Sequence, residues 1–367
     1  MSHRRRTKAA WTARRSMPSA VLVVPGSIDT RTGGSIYDRC MAEGLRRRGW
    51  PVDVIELDGG FPRPGAGAIA AAAEALASIA GGTLVIIDGL ALSALPDLIE
   101  REAARLRLVA LIHLPLGADV SFDADIRQRL AQAEHRALAA AALVVVTGST
   151  TVGLLEPYAL PHDRVVVVEP GTDPAPLATG SGGPGVHLLC VATINAGKGH
   201  DVLLSALATM RDAPWRLTCA GSLSRDPVAV GRVRALIQRL KLDARVTLAG
   251  ELDANKLAAC YDEADVFVLP TRRETYGMAV AEALARGLPV VSTATGAIPD
   301  LVGDDAGLLV PPDDEGALAA ALARIIGDAD LRARLAAGAR EVRDRLQGWD
   351  LAAARMDDAL HRLETHG

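Results

Sequence analysis

Four cysteines, Cys40, Cys190, Cys219 and Cys260, are scattered through 367 residues without the spacing of a metal-ligand set. Three of them sit in or beside apolar runs, where a cysteine is usually a small core residue, and the four read as reduced thiols of a cytoplasmic protein. Long apolar runs are missing too: none approaches the roughly 20 residues that a membrane span needs. A net charge of −4 gives no reason to expect a nucleic-acid partner. The opening residues 1–19 are basic and lack a periodic apolar face, and the apolar residues 20–24 that follow are too few for the hydrophobic region of an export signal. Those first residues are expected to form a disordered tail, or to reflect an over-extended start with Met17 as initiator. The alternative is weak attraction to an anionic membrane surface.

From Ala20 onward, apolar strand-like runs near Val21, Val52, Leu84, Leu108, Leu143 and Val165 alternate with Ala-, Leu- and Arg-rich helical runs. That order predicts an α/β fold with a parallel sheet. Residues 169–185, EPGTDPAPLATGSGGPG, break the alternation and read as a flexible linker. A second alternating series starts at Val186, and an amphipathic helix begins at Trp349. With 49% hydrophobic residues, the chain is long enough for two cores. The predicted division is a tail over 1–19, an N-terminal domain over 20–168, the linker 169–185, a C-terminal domain over 186–348 and a closing helix over 349–367.

Several residues in these series carry candidate chemistry. The first strand leads to Thr32-Gly33-Gly34-Ser35 at the opening of a helix, where glycines let backbone approach a ligand at the strand ends of a doubly wound sheet. The pair lacks the full G-x-G-x-x-G, which argues against a dinucleotide site, and it can equally be a turn. His113 follows the apolar run at residues 107–112 and precedes Pro115, at the carboxyl end of a strand where α/β ligands bind. Asp88 has the same address, to touch an acceptor or to cap the next helix. Lys198, beside glycines and ahead of a helix, is a candidate phosphate cation or a solvent-facing lysine.

The densest constellation is LPTRRETYGMAVAEALARGLPVVS at residues 269–292. It reads as strand, polar turn, Ala-rich helix over 277–286, then strand again. A helix opening at Gly277 offers unpaired backbone NH groups and a positive dipole end to an anion. Glu274 stands ahead of that end and Glu282 more than one turn inside it, so two carboxylates can hold hydroxyls on either side of a diphosphate, which suits a sugar nucleotide. The alternative is that both glutamates only favour the helix electrostatically.

Thr271, Glu274, Tyr276, Gly277, Glu282, Ala285, Gly287, Pro289 and Val290 stand in register with the signature of the retaining glycosyltransferases of family 4, which have the two-domain GT-B fold. The chain resembles that family over nearly all of residues 20–363, with its specific motifs in the C-terminal half. The resemblance implies two Rossmann-like domains facing across a cleft, with the last helix crossing back onto the first domain. It implies Glu274 at the donor sugar hydroxyls, Glu282 at the ribose, and the backbone of Tyr276, Gly277, Met278 and Ala279 at the phosphates. It also implies that Gly33 and Gly34 close on the diphosphate and that His113 lies near the donor sugar. Family members often carry an Arg and a Lys with four residues between them near Lys198; here Thr193 stands at the Arg position, and Arg272 or Arg273 is the expected replacement.

The leading expectation is therefore a hexosyl-transferring enzyme of class EC 2.4. It would move a sugar with retention from a UDP- or GDP-sugar to an unidentified acceptor hydroxyl. No cofactor or metal is expected, since no Asp-x-Asp pair suggests itself near the site. A sugar-nucleotide epimerase, a phosphorylase, or an inactive nucleotide-binding protein of the same fold are the alternatives.

Overall fold

The computed structural model describes residues 19–365; the tail predicted for residues 1–19 lies, but for its last residue, outside them. Among the described residues, twelve strands form two parallel six-stranded sheets. The first holds β1 (Ala20–Pro25), β2 (Val52–Leu57), β3 (Leu84–Asp88), β4 (Arg107–Ile112), β5 (Leu143–Val146) and β6 (Val165–Val167), in the order β2-β1-β3-β4-β5-β6. The second holds β7 (Val186–Val191), β8 (Trp215–Ala220), β9 (Val246–Gly250), β10 (Val266–Leu269), β11 (Val290–Thr293) and β12 (Gly307–Val310), in the order β12-β11-β10-β7-β8-β9. Helices cover both faces of each sheet, so the strands read as continuous apolar runs: β3, β5, β10 and β11 are buried at every position.

Strand pleating separates the N-terminal core into two layers. Val21 and Val23 of β1 face a layer with Leu76, Ile99 and Leu138, while Leu22 and Val24 face one with Tyr37, Met41 and Trp50. The second layer also contains Trp349, Met356 and Leu360 of the last helix, Trp349–Thr365. That helix packs on Gly33–Arg47 closely enough that a Cβ on Gly44 would lie 2.5 Å from Ala353 Cβ. Trp50 Nε1 and Arg48 Nε donate to the two oxygens of Asp357, at 2.7 and 2.8 Å. The final helix is thus part of the first domain's core, as the resemblance implied.

Residues 169–185 have no regular secondary structure, yet they are more firmly held than their composition predicts. Thr172 N donates to Gln347 O, Ala178 N to Arg286 O, and Gly180 N to Asp262 O, all within 2.9 Å. Gln347 Nε2 returns hydrogen bonds to Glu169 O and Pro170 O. The two chain crossings between the sheets therefore run side by side, tied together by backbone. Composition reports the lack of periodicity but not these partners, which come from remote parts of the chain. No helix among the described residues is long and apolar enough to cross a membrane.

In each sheet, chain order reverses beside the first strand: between β1 and β3, and between β7 and β10. Loops leaving the carboxyl ends of strands at such reversals splay apart and open a crevice.

Candidate active site

The two crevices face each other and enclose a cavity of about 480 Å³, a size suited to a small-molecule ligand. One wall comes from the loops after β7, β8, β9 and β10, with Thr193, Lys198, Gly221 and Glu274 among its residues. The other comes from the loops after β1, β4 and β5, and includes Gly33, Gly34, His113 and Thr147. The walls touch where Arg31 Nη1 donates to Leu252 O at 2.7 Å and Thr150 Oγ1 to Thr275 O at 3.2 Å.

On the C-terminal wall, Asn195 accepts from Lys198 N at 3.1 Å, fixing the turn that carries the lysine. Lys198 Nζ then reaches Glu274 Oε2 at 2.7 Å. The phosphate cation and the sugar-binding carboxylate of the sequence reading are thus partners of one another. A ligand that engages both must enter their pair. Gly277 adopts φ +98°, a conformation that L side chains rarely take, and from it the chain turns into the helix Met278–Leu284. At seven residues this helix is shorter than the 277–286 predicted, because residues 285–288 tighten into a turn before β11. The shortening is at the carboxyl end, so the first turn still presents its unpaired NH groups, beside the side-chain cations of this wall.

Glu282 lines the cavity and accepts from Tyr261 Oη at 2.9 Å. Burial pushes its carboxyl above the usual range, and the Tyr261 hydrogen bond opposes that push. Burial also raises the Tyr261 phenol, with Glu282 adding to the effect, so the hydroxyl remains a donor. The Arg286 guanidinium lies 4.3 Å from the centre of the Tyr261 ring and closes the arrangement from behind.

Arg272 requires a correction. Its guanidinium pairs with Asp201 at 2.9 Å and Asp313 at 2.6 Å, and it is not among the cavity residues. Arg273 lines the cavity instead, with a buried Nε that has no hydrogen-bond partner. Successive residues of an extended loop point to opposite sides, and the register of that loop, set by Arg272 N donating to Gly197 O at 2.8 Å, decides which arginine turns inward. Arg273→Ala should accordingly weaken nucleoside diphosphate binding by about tenfold or more, while Arg272→Ala leaves it nearly unchanged. Calorimetric titration of both variants checks this, and equal losses would reverse the assignment.

On the N-terminal wall, Thr32 caps the helix Gly33–Arg47, and Gly34 lies against His113 so closely that a Cβ there would stand 3.1 Å from Cδ2. A Cβ on Gly33 would meet Met278 Sδ across the cleft at 3.6 Å. His113 Nε2 lies 3.0 Å from Asp38 Oδ1 and 3.4 Å from Asp88 Oδ2. Asp88 also caps the helix Gly89–Ser93 by accepting from Leu90 N at 2.7 Å. Sequence reasoning found His113 and Asp88 but missed Asp38, since nothing local links a helix residue to a strand end 75 residues later. Tyr276, Gly277, Met278 and Ala279 all border the cavity. A buried cluster of Cys190, Cys219 and His200 lies in the second core, outside the cavity.

Residues 185–328 match the family described as Glycosyl transferases group 1. Over residues 185–328 the chain thus resembles the group 1 glycosyltransferases, and its two-sheet architecture is the GT-B fold. The matched segment contains Lys198, Glu251, Arg273, Glu274 and Glu282, the ionic residues of one wall. A D-inositol 3-phosphate glycosyltransferase from Xylanimonas cellulosilytica is 36% identical over 243 residues, 61% of this chain and 58% of that one. One from Jonesia denitrificans is 32% identical over 250 residues, 63% of this chain and 59% of that one. The chain thus spans about three-fifths of the length of these curated relatives. Among solved structures, a sucrose-phosphate synthase from Thermosynechococcus elongatus superposes with a TM-score of 0.81 at 23% identity, covering 95% of this chain and all of that one. Anabaena HepE in complex with UDP and glucose gives 0.73 at 18% identity, covering 93% and 99%.

Proposed function

We propose that the protein transfers a sugar from a UDP- or GDP-sugar to an acceptor hydroxyl with retention at the anomeric carbon. The observation that carries this reading is the cavity between the two sheets. One wall presents Lys198, Arg273, Glu274 and Glu282, and the other presents His113. In this reading the diphosphate lies along Lys198, Arg273 and the backbone of residues 276–279. Glu282 accepts from the ribose hydroxyls, and Glu274 from the sugar. The Thr193 position removes one cation from the diphosphate site, and Arg273 supplies one.

The reaction is written as a front-face substitution. The bond from the anomeric carbon to the leaving phosphate oxygen breaks as the bond to the acceptor oxygen forms on the same face, and the acceptor proton passes to that phosphate oxygen. Charge on the leaving diphosphate is then offset by groups already in place, which is where preorganised electrostatics contribute most. No protein base is needed. The acceptor would enter from the N-terminal wall, where Arg31 and Arg39 are the cations available to an anionic acceptor. D-inositol 3-phosphate, which gives the relatives their name, is the first acceptor to test. Four free cysteines support a reducing, cytoplasmic setting.

Incubation with a panel of sugar nucleotides, with and without acceptor, tests the reading. Release of UDP or GDP with formation of an α- or β-glycoside of the donor's own configuration supports it. Epimerised donor, or binding without turnover, would replace it with the epimerase or the inactive binding protein. Turnover should persist in EDTA, because lysine, arginine and backbone groups meet the diphosphate in this reading. Loss in chelator, restored by one divalent ion, would overturn the metal-independent mechanism.

A further inference from the structure

His113 is held by more than its place at a strand end. Its Nε2 is shared between Asp38 and Asp88, whose side chains are 2% and 4% exposed. Asp38 comes from the helix Gly33–Arg47 and Asp88 from the end of β3, so two separate elements converge on one ring nitrogen. Two buried carboxylates against a neutral ring would leave two uncompensated charges, whereas a protonated ring offsets one of them and donates to both. Both carboxylates take Nε2. Nδ1 is therefore the nitrogen left for a ligand in the cavity that His113 lines.

We propose that Asp38 and Asp88 are positioning residues that hold His113 as an imidazolium, so that its Nδ1–H is a fixed cationic hydrogen-bond donor to the oxygens of the bound sugar nucleotide. The inference rests on the sugar-nucleotide reading of the cavity for the ligand's identity, and on the geometry alone for the charge state.

The surrounding charges agree. Burial by itself pushes the His113 ring down, but Asp38 first and then Asp88 outweigh it and raise it to about 10. Burial lifts Asp38 to about 6 even with His113 pulling it down. The Tyr37 ring meets His113 edge-on at 5.2 Å, and burial keeps its phenol protonated. Thr147 Oγ1 donates to the His113 carbonyl and adds no charge. On the same wall stand Arg31, Arg39 and Asp119, and across the cavity Lys198 is already paired with Glu274 while Arg273, Glu251 and Glu282 complete the far side. The two carboxylates in contact with the ring set its charge.

The sign of the pH effect follows. With both carboxylates present, the ring stays protonated up to about 10. With Asp38→Asn, one raising carboxylate is lost and the lowering effect of burial remains, so the ring gives up its proton at lower pH. Isotope-labelled histidine NMR at pH 8 reads this without any turnover: His113 should show imidazolium shifts in the wild-type protein and shifts toward neutral imidazole in Asp38→Asn, with Asp38→Glu restoring the cation. Asp88→Asn should move it the same way by a smaller amount. With an active donor, wild-type kcat should be flat from about pH 6.5 to 9, and Asp38→Asn should lose about tenfold per pH unit above its new pKa. A neutral His113 in the wild-type protein at pH 8, or an imidazolium and a flat profile in Asp38→Asn, overturns the proposal. If no donor turns over, the spectra still decide the charge state, so failure of the function and failure of this inference remain distinguishable.

Discussion

Turnover of Glu274→Ala should fall by about a hundredfold or more, while its affinity for nucleoside diphosphate holds or rises. The opposite signs come from the 2.7 Å pair with Lys198. In the reading proposed here, Glu274 orients the transferred sugar, so its removal costs the reacting geometry. It also frees Lys198 Nζ from its one carboxylate partner among the described residues, leaving a half-buried cation to meet the diphosphate undivided. Lys198→Ala should do the reverse to binding, weakening the diphosphate by about tenfold, the scale of one charge-assisted hydrogen bond. Steady-state kinetics with calorimetry on both variants separates the two roles. Parallel losses of affinity in Glu274→Ala and Lys198→Ala would mean that the pair acts as a structural unit and that neither residue has the separate role assigned to it.

Gly34→Val should lower turnover by about a hundredfold and leave nucleotide affinity within a few-fold of the wild type. The glycine's backbone angle is not the reason. A Cβ at this position would stand 3.1 Å from His113 Cδ2, tighter than most real contacts, so the ring must give by a few tenths of an ångström, and the branched valine has further atoms to place. Any retreat of His113 stretches the contacts of its Nε2 with Asp38 and Asp88, at 3.0 and 3.4 Å. The ring must therefore turn or the helix Gly33–Arg47 must move, and either change displaces the N-terminal wall relative to the donor. The residues proposed to hold the diphosphate and the ribose, Lys198, Arg273 and Glu282, belong to the opposite wall and keep their positions. Normal turnover in Gly34→Val would reduce the Gly-Gly pair to a turn, and loss of nucleotide binding would move the diphosphate site toward the N-terminal half.

Much of this architecture can be read directly from the sequence, for a physical reason. A parallel strand covered on both faces is apolar at nearly every position, so LVIID at β3 and VFVL at β10 announce themselves without any partner. The Glu274, Gly277 and Glu282 constellation is legible because all three lie within one strand-turn-helix unit. What stays hidden depends on distant partners. Asp38 looks like one more helix carboxylate until the fold brings it to His113. Arg272 and Arg273 are adjacent and chemically identical, and only the register of the loop against Gly197 tells them apart. Residues 169–185 are linker-like in composition, but their backbone donors are taken by Gln347, Arg286 and Asp262, a set that no local pattern encodes. Glu282 is legible in the sequence as the carboxylate proposed here to accept from hydroxyls. Its support by Tyr261 and Arg286 is not.

Hydrogen exchange with and without UDP, and again with GDP, tests the central claim most directly. The account predicts slowed exchange at residues 193–199 and 271–282 with the preferred nucleotide, extending to residues 31–39 when the complete sugar nucleotide is bound. Unchanged exchange in all three segments, or protection confined to a region outside the cavity, would contradict it.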